Sequence, residues 1–320
     1  MLQSDNEQKR NLKEETTGLK ILSLFDGISC GMVALERAGF SVDKYIAYEI
    51  EPNAIKISEQ NYPQIEHCGD VCTADFTQYK GYDLRIGGSP CTNWSCAKNH
   101  TAKVKKEKFI NEGIGWELFQ QYKRALQEAQ PKFFLYENNY RISKHIVEAI
   151  TNELGVQPIM IDSALVSAQR RKRLYWTNIP NVTQPEDRDI LLKDIFVPDD
   201  TLVKTDIRIK NTAVKKKNYV QYAVNDKHLT SQAFRLYYLD GKSPTIARSR
   251  TESKCNILID ENDLSTYKVI SPVEAERLQT LPDGYTDYVP KTRRFEAIGN
   301  GWTVDVIAHI LSFMKEAQQS

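Results

Sequence analysis

The sequence predicts an α/β fold: a parallel sheet with helices on both faces, and a small irregular domain late in the chain. Short apolar strands alternate with amphipathic helices over 19–179, the rhythm is lost over 180–270, and it returns at Ser271. Such alternation is typical of a parallel sheet. We therefore expect a flexible leader (1–18), a main domain whose first part is 19–179, a separate domain over 180–270, and a returning segment of the main domain over 271–320.

The predicted strands share a short apolar composition and are bounded by turn residues. They are residues 19–25, 43–49, 82–86, 132–137, 157–162 and 173–179. Runs of this length, with helical segments between them, are typical of strands that are buried on both faces.

The predicted helices combine apolar residues at helical spacing with recognisable ends. They are residues 31–39, 52–63, 115–131, 143–155, 303–314 and one that begins after Ser271. Pro52 suits the first turn of a helix, and Gly155 suits a helix C-terminus. Ser271 and Glu274 have the spacing of a capping box around Pro272.

Composition excludes several classes of protein. The chain has 320 residues, a net charge of +1 and 41% hydrophobic residues. No run approaches the ~20 apolar residues that span a bilayer, and the N-terminus lacks the apolar core of a signal peptide. We therefore expect no membrane partner, a cytoplasmic location and six reduced cysteines. His67, Cys68 and Cys72 lack a second ligand pair at zinc spacing, so we expect no metal.

The stretch "LSLFDGISCG" has the pattern of a nucleotide-binding start: a strand, a glycine turn and a helix N-terminus. The full G-x-G-x-x-G pattern is absent. Glu49 ends the next strand 22 residues after Gly27, where an acid can bind ribose hydroxyls. Asp70 follows the third strand region and could bind an adenine amino group. The pattern favours an adenosyl-type cofactor over a glycine turn that only packs.

Three further candidates follow strands or lead into them. Cys91 comes after Pro90 in "GGSPCTNWS", where a thiolate would be a soft carbon nucleophile, although a buried structural cysteine is the alternative. Glu137 ends the strand in "FLYENN", and a carboxyl group beside a thiol can hydrogen-bond or protonate a heterocycle. Arg171 and Arg173 alternate in "QRRKR", so we expect both on one face, holding a base carbonyl or a phosphate.

Six motifs, in this order along the chain, resemble those of the DNA (cytosine-5) methyltransferases. They are "FDGISCG", "GGSPCTNWS", "YENN", "QRRKR", "ERLQTLPDGYT" and "IGNGWTVDVIAHI". The resemblance covers residues 20–178 and 271–311. The motifs as a whole are most similar to those of bacterial and phage enzymes, while the first motif is similar to that of the animal de novo methyltransferases. Two features depart from the family: Asn139 replaces a valine, and the DNA-reading region before Ser271 is short, about ninety residues.

The resemblance implies a Rossmann-like S-adenosylmethionine-dependent methyltransferase fold, with target recognition over 180–270. It implies that S-adenosyl-L-methionine is the methyl donor and that double-stranded DNA is the substrate, with the cytosine flipped out of the helix. Cys91 would then bond C6 of the cytosine, Glu137 would bind N3 and the 4-amino group, and Arg173 would hold O2. Arg171 would support the loop or a phosphate.

The resemblance also implies binding residues. Cofactor contacts are expected from Phe25, Asp26, Gly27, Ile28, Gly31, Glu49, Ile50, Asp70, Val71, Pro90, Asn300 and Trp302. DNA contacts are expected from Ser89, Asn93, Lys103, Lys105, Lys106, Arg171, Lys215, Lys216, Arg248 and Arg250. Residues 92–112 are long, polar and basic, so we expect them to form a lid over the site rather than a plain surface loop.

Alternative functions differ in their sequence signatures. A tRNA cytosine-5 methyltransferase of the same fold typically carries Pro-Pro-Cys and Cys-Phe-Thr, whereas this chain has Ser-Pro-Cys and lacks the second triplet. A non-catalytic DNA-binding relative would lose Cys91 or Glu137, and a nicotinamide dehydrogenase would need the full glycine pattern. We expect a monomer. The target sequence and the biological role (restriction partner, phage self-protection or epigenetic mark) stay open.

Overall fold

A seven-stranded sheet forms the centre of the main domain in the computed structural model of the chain, which describes residues 18–90, 113–206, 209, 212–222, 234–247 and 255–319. The strands are β1 (Leu19–Leu24), β2 (Val42–Tyr48), β3 (Glu66–His67), β4 (Leu84–Gly87), β5 (Phe133–Asn139), β6 (Ile159–Asp162) and β7 (Lys172–Thr177). Their order in the sheet is β3-β2-β1-β4-β5-β7-β6.

The sheet is parallel except for β7, which runs antiparallel to both β5 and β6. The expectation of an all-parallel sheet is therefore wrong for this strand. The connection from β6 to β7, residues 163–171, holds one short 3₁₀ turn, Ser163–Leu165. A parallel crossover needs a dozen or more residues, so β7 returns in the opposite direction.

Helices cover both faces of the sheet, as the sequence predicts. The helices are α1 (Cys30–Arg37), α2 (Pro52–Asn61), α3 (Ile114–Ala129), α4 (Lys144–Leu154), α5 (Leu192–Ile195), α6 (Pro272–Leu278), α7 (Lys291–Asn300) and α8 (Val304–Gln319). Side chains alternate along β1, so Ile21 packs in a core with α1, α2 and α8, whereas Leu22 packs in a second core with α3 and α4. The expected capping box of Ser271 and Glu274 is present at the start of α6.

The sequence did not predict α7, because its first turn, "KTRR", is strongly charged and shows no apolar face. The helix begins directly after Pro290, and its second half supplies the apolar contact. Phe295, Ala297 and Ile298 are all buried there.

Residues 203–269 contain a second sheet rather than the irregular structure that we expected. Its strands are β8 (Val203–Thr205), β9 (Val214–Lys215), β10 (Tyr219–Gln221), β11 (Arg235–Tyr238), β12 (Asn256–Leu258) and β13 (Thr266–Val269), in the order β8-β13-β12-β11-β10-β9. Each strand has two to four residues. Strands this short contain too few residues to show the alternation that identifies them in a sequence.

Backbone pairing and a buried ion pair are among the contacts that join the second sheet to the main domain. Residues 243–246 run beside residues 168–171: the Ser243 amide donates to the Ala168 carbonyl at 2.7 Å, and the Arg170 amide donates to the Ser243 carbonyl at 2.9 Å. Lys268 of β13 forms a buried ion pair with Glu274 of α6, with the nitrogen 2.5 Å from the carboxylate oxygen. Within the described ranges, no helix is both long enough and apolar enough to cross a membrane.

Candidate active site at the carboxyl edge of the main sheet

The chain turns sharply after β1, at the carboxyl edge of the sheet. Phe25, Gly27 and Ser29 have φ angles of 56°, 62° and 57°, in the left-handed region that glycine adopts most readily. A Cβ added to Gly27 would meet no atom within 4 Å, so the outer side of the turn is open. The turn therefore leaves open space beside Gly27, just before α1, as the sequence pattern predicts for a nucleotide site.

Asp26 lies beneath this turn and fastens it to the sheet. Its carboxylate accepts hydrogen bonds from the hydroxyls of Ser23 and Ser29, both at 2.5 Å, and of Tyr45 at 2.7 Å. Burial and the neighbouring carboxylate raise the pKa of Tyr45 well above its ordinary value, so its hydroxyl stays a donor. These three donors make the Asp26 side chain an internal support of the turn, and its expected contact with a cofactor stays a prediction.

Two other expected cofactor residues are also core residues. The Ile28 side chain is 1% exposed, and its carbonyl accepts a hydrogen bond from Tyr285. A Cβ on Gly31 would lie 2.2 Å from Ile86 Cδ1, so only glycine lets α1 pack on the sheet here. The Ile28 side chain therefore lies below the surface of the turn and is not placed for the expected cofactor contact, whereas Gly31 has no side chain and its expected contact stays a prediction.

Glu49 ties the end of β2 to the turn after β1. Its Oε2 accepts a hydrogen bond from the Gly27 amide at 2.8 Å, and its Oε1 accepts from the amides of Ile50 and Glu51 at 2.8 and 2.9 Å. An ionised carboxylate has about four acceptor positions, so Oε2 retains one for a further donor. A ribose hydroxyl is a donor of that kind.

The remaining cofactor candidates surround the same turn. Asp70 is exposed, and its carboxylate caps a 3₁₀ turn, Val71–Thr73, by accepting from the Cys72 amide at 2.9 Å. The Val71 side chain is buried, whereas Phe25 is half-buried and Ile50 is 69% exposed. Phe25, Ile50 and Asp70 are thus the accessible side chains of this group.

Arg124 of α3 holds the 3₁₀ turn in place, a contact that no sequence pattern predicts. Its guanidinium donates to the carbonyls of Val71 and Ala74, both at 2.9 Å. Glu128, one turn further along α3, pairs with Arg124 and accepts from the Phe76 amide at 3.1 Å.

The segment after β4 passes directly against Glu137. A Cβ on Gly88 would lie 2.9 Å from the Glu137 carbonyl oxygen and 3.0 Å from Oε2, so glycine is required for this approach. The Ser89 hydroxyl bonds the Tyr136 hydroxyl at 2.6 Å, and Ser89 is 4% exposed. The expected DNA contact through the Ser89 side chain is therefore corrected: the hydroxyl anchors the segment internally.

Pro90 is exposed and is the last residue that the structure describes before residue 113. Several predicted residues lie outside the described residues, so their expected roles stay predictions: Cys91, Asn93, Lys103, Lys105, Lys106, Arg248 and Arg250. Lys215 and Lys216 are described and are exposed at β9, an edge strand of the second sheet.

Glu137 is held by two donors from distant parts of the chain. Arg173 Nε lies 3.0 Å from Glu137 Oε1, and both side chains are 14% exposed. The indole nitrogen of Trp302 donates to Oε2 at 3.1 Å. In the β5–β7 register Arg173 lies opposite Asn139, two residues beyond Glu137 and therefore on the same face of the sheet. The sequence predicted Glu137 and Arg173 at one crevice, and the structure brings them together.

Arg171 is buried, which differs from the expected contact with a phosphate. Its guanidinium donates to the carbonyls of Ile246, Gly299 and Gly301 at 3.0, 3.1 and 2.9 Å. Burial lowers the pKa of Arg171 to about 9, so it is still charged at neutral pH. We expected Arg171 and Arg173 on one face because side chains two residues apart in a strand point the same way. Arg171 precedes β7, so this alternation does not apply to it. Its position indicates a structural role, in which Arg171 holds the backbone at residues 246, 299 and 301.

A buried network of amide side chains links the same elements. Gln169 donates to the Leu278 carbonyl at 3.0 Å and to Gln279 Oε1 at 3.2 Å. Gln279 in turn accepts from the Thr303 hydroxyl at 2.7 Å and donates to the Gly301 carbonyl at 3.0 Å. Sequence reasoning missed this network, although both glutamines lie in the quoted motifs "QRRKR" and "ERLQTLPDGYT".

Asn300 and Trp302 flank the turn between α7 and α8. Asn300 is exposed at the end of α7, and Trp302 is half-buried. A Cβ on Gly301 would lie 3.2 Å from the Sγ of Cys30, so this turn packs closely on the start of α1. Burial raises the pKa of Cys30 to about 12, which makes it an inert core thiol. In the described part of the chain, no cluster of three potential metal ligands occurs.

Comparisons with known proteins agree with this geometry. The chain is similar to the type II methyltransferase M1.ScrFI of Lactococcus lactis subsp. cremoris, with 26% identity over 94% of this chain and 79% of that protein. It is equally similar to the type II methyltransferase M.NlaX of Neisseria lactamica, with 26% identity over 93% of this chain and 96% of that protein.

The Dnmt2 methyltransferase of S. pombe superimposes with a TM-score of 0.68 at 15% identity, over 94% of this chain and 99% of that chain, which confirms the expected methyltransferase fold. A family model described as C-5 cytosine-specific DNA methylase matches residues 19–316. Because that match spans almost the whole sequence, the chain belongs to the family of C-5 cytosine-specific DNA methylases.

Proposed function

We propose that the chain transfers a methyl group from S-adenosyl-L-methionine to C5 of a cytosine in double-stranded DNA. The observation that carries the proposal is the placement of Glu137. Arg173 and Trp302 hold its carboxylate at the carboxyl edge of the sheet, directly against the glycine segment that leads to Cys91. A fixed carboxylate at this edge suits recognition of a pyrimidine.

The residues around the turn after β1 fit the donor. Gly27 leaves open space, Glu49 retains an acceptor position for a ribose hydroxyl, and Asp70 and Ile50 are exposed beside them. When bound there, S-adenosyl-L-methionine supplies an electrophilic methyl group.

Cys91 provides the nucleophile that cytosine needs, because C5 alone is too electron-poor to react with such a methyl group. The thiolate pair forms the S–C6 bond, the C5=C6 π pair becomes the C4=C5 bond, and the C4=N3 π pair moves onto N3, which takes a proton from protonated Glu137 and returns it as C5 reacts. The ring is now an enamine, nucleophilic at C5. Arg173 holds the O2 carbonyl. After C5 is methylated, a base (water in our proposal) removes the C5 proton, C5=C6 re-forms and the C6–S bond breaks.

Access to C6 requires that the cytosine leave the base stack. C6 cannot be reached by a thiolate inside a duplex, so we propose that the base is flipped into the crevice beside Glu137. Lys215 and Lys216 are exposed on the second sheet and would contact DNA phosphates. We also propose that the chain acts as a monomer in the cytoplasm of a bacterial or phage-infected cell, and light scattering of the purified protein would test the monomer.

The proposal is tested by incubating the full chain with tritiated S-adenosyl-L-methionine and either DNA free of 5-methylcytosine or unmodified tRNA. We expect label in DNA, recovered as 5-methylcytosine after digestion. Cys91→Ser should abolish transfer and still bind the donor, whereas a duplex with 5-fluorocytosine at the target should become covalently joined to the wild-type protein. Label in tRNA alone, or transfer retained by Cys91→Ser, would overturn the proposal.

A further inference from the structure

Trp302 connects the returning segment of the chain to the carboxylate at the centre of the site. Its indole N–H lies 3.1 Å from Glu137 Oε2, across 165 residues of sequence. The other carboxylate oxygen, Oε1, faces Arg173 Nε at 3.0 Å. The resemblance implies only a cofactor contact for Trp302, so this hydrogen bond is an additional observation about its role.

The two donors constrain how the carboxylate can rotate. An indole N–H donates and cannot accept, so it fixes Oε2 as an acceptor, and the Arg173 guanidinium does the same for Oε1. An ionised carboxylate has about four acceptor positions, so one remains on each oxygen. These two positions match adjacent groups on the edge of cytosine: one can accept from the 4-amino group, and the other, when it carries a proton, can donate to N3.

Buried side chains hold the backbone on both sides of Trp302. The carbonyl of Gly301, just before it, accepts from Arg171 at 2.9 Å and from Gln279 at 3.0 Å. Thr303, just after it, donates its hydroxyl to Gln279 at 2.7 Å. The indole therefore projects toward Glu137 from a turn that is fastened at both ends, as a preorganised donor requires.

We propose that Trp302 is a positioning residue for Glu137. Its indole N–H holds the carboxylate, before DNA binds, in the orientation that receives the flipped cytosine. This inference rests on the proposed function. It adds that the returning segment contributes to recognition of the base as well as to the cofactor site.

The test is Trp302→Phe in the full chain, because phenylalanine keeps an aromatic ring and removes the N–H. We expect kcat, measured at saturating S-adenosyl-L-methionine on DNA free of 5-methylcytosine, to fall on the order of tenfold, the effect of one hydrogen bond to a charged acceptor. The matched control is Trp176→Phe. Trp176 is a buried indole whose N–H bonds Thr151 Oγ1 at 3.0 Å, so this change should alter stability but leave kcat within twofold.

A second measurement separates positioning from a contact with the donor. Glu137→Asp keeps a carboxylate but withdraws it from the indole, so Trp302→Phe should lower kcat less than twofold in that background. An unchanged kcat in the single variant, or the same tenfold loss in the Glu137→Asp background, would overturn the inference. Failure of the proposed function is a different result, because the wild-type chain would then place no label in DNA.

Discussion

Arg171 and Arg173 are the same residue type, two positions apart, in different surroundings. Arg171 is 4% exposed and donates to three backbone carbonyls, whereas Arg173 pairs with the carboxylate of Glu137. Burial of an arginine is tolerated where hydrogen-bond acceptors receive its N–H groups. We therefore expect the first residue to contribute to stability and propose that the second contributes to chemistry, and matched substitutions should separate the two effects.

We predict that Arg171→Met lowers the free energy of unfolding by about 3 kcal/mol, because buried carbonyls lose their donor. Arg173→Met should instead lower kcat about 100-fold, because it removes a cation that fixes the carboxylate. Urea unfolding and single-turnover methyl transfer would measure the two quantities. Arg170→Met removes an exposed guanidinium and serves as the stability control; a loss as large as that of Arg171→Met would contradict this assignment.

We predict that Glu137→Gln lowers kcat at least 100-fold with little change in the melting temperature. The amide that replaces the carboxylate must turn an NH₂ group toward one of two donors, Arg173 Nε or the Trp302 indole. Single-turnover methyl transfer and thermal unfolding would test this. A kcat within threefold of wild type would show that the carboxylate takes no part in the reaction.

The 3₁₀ turn Val71–Thr73 owes its position to helix α3 rather than to its own sequence. Arg124 donates to two of the turn's carbonyls, and its partner Glu128 accepts from the Phe76 amide. Asp70 caps the start of the turn, so α3 helps to determine the position of this acid, which we propose lies at the donor site.

We predict that Arg124→Met weakens binding of S-adenosyl-L-methionine about tenfold, because two hydrogen bonds to the turn are lost. Calorimetric titration of the DNA-free protein would measure the dissociation constant. The adjacent Lys123→Met is the matched control: Lys123 lies on the same helix as Arg124 but forms a partly exposed ion pair with Glu153 of α4, so this variant should bind the donor like wild type. Equal affinity in the two variants would contradict the role of Arg124.

Whether an element could be predicted from sequence depended on how long its pattern runs. Helix α3 spans 16 residues and was predicted within two residues at each end. The strands of the second sheet have two to four residues and were missed, as was α7, whose charged first turn hides its apolar half. The direction of β7 was missed because a sequence pattern shows that a strand exists and not which way it runs.

Residues of the site were predictable where they end a strand within a recognisable motif. Glu137 and Glu49 were found in this way. The Gln169–Gln279 pair joins residues 110 positions apart, and such a contact exists only once the chain has folded. The burial of Arg171 also depends on contacts with residues far away in sequence, so the spacing of the arginines in the motif could not predict it.

At the scale of the whole molecule, a buried ion pair joins the second sheet to the main domain. Lys268 and Glu274 are at most 1% exposed, and Glu274 also accepts from the amides of Ser271 and Val197. Removing one partner of such a pair leaves a buried charge without compensation, which is costly.

We predict that Lys268→Met lowers the free energy of unfolding by about 3 kcal/mol or more, as for other broken buried pairs. The double variant Lys268→Met, Glu274→Gln should recover part of this loss, because a neutral amide replaces the unpaired carboxylate. Urea unfolding at pH 7 would measure both. A double variant no more stable than the single one would show that the charge is not the cause.

On our expectation that residues 180–270 read the DNA sequence, the joint between residues 168–171 and 243–246 sets the borders for exchanging sequence specificity between relatives. Ser243 and Ile246 are hydrogen-bonded to residues 168–170, which lead into the strand that carries Arg173. A transplanted recognition module with its own version of this joint would therefore displace the Arg173 guanidinium, which we propose lies beside the target base. Chimeras should therefore exchange other residues of the 180–270 region and keep the host's own residues at positions 243–246. Hybrids cut inside that stretch are expected to fold yet turn over slowly, whichever DNA sequence they read.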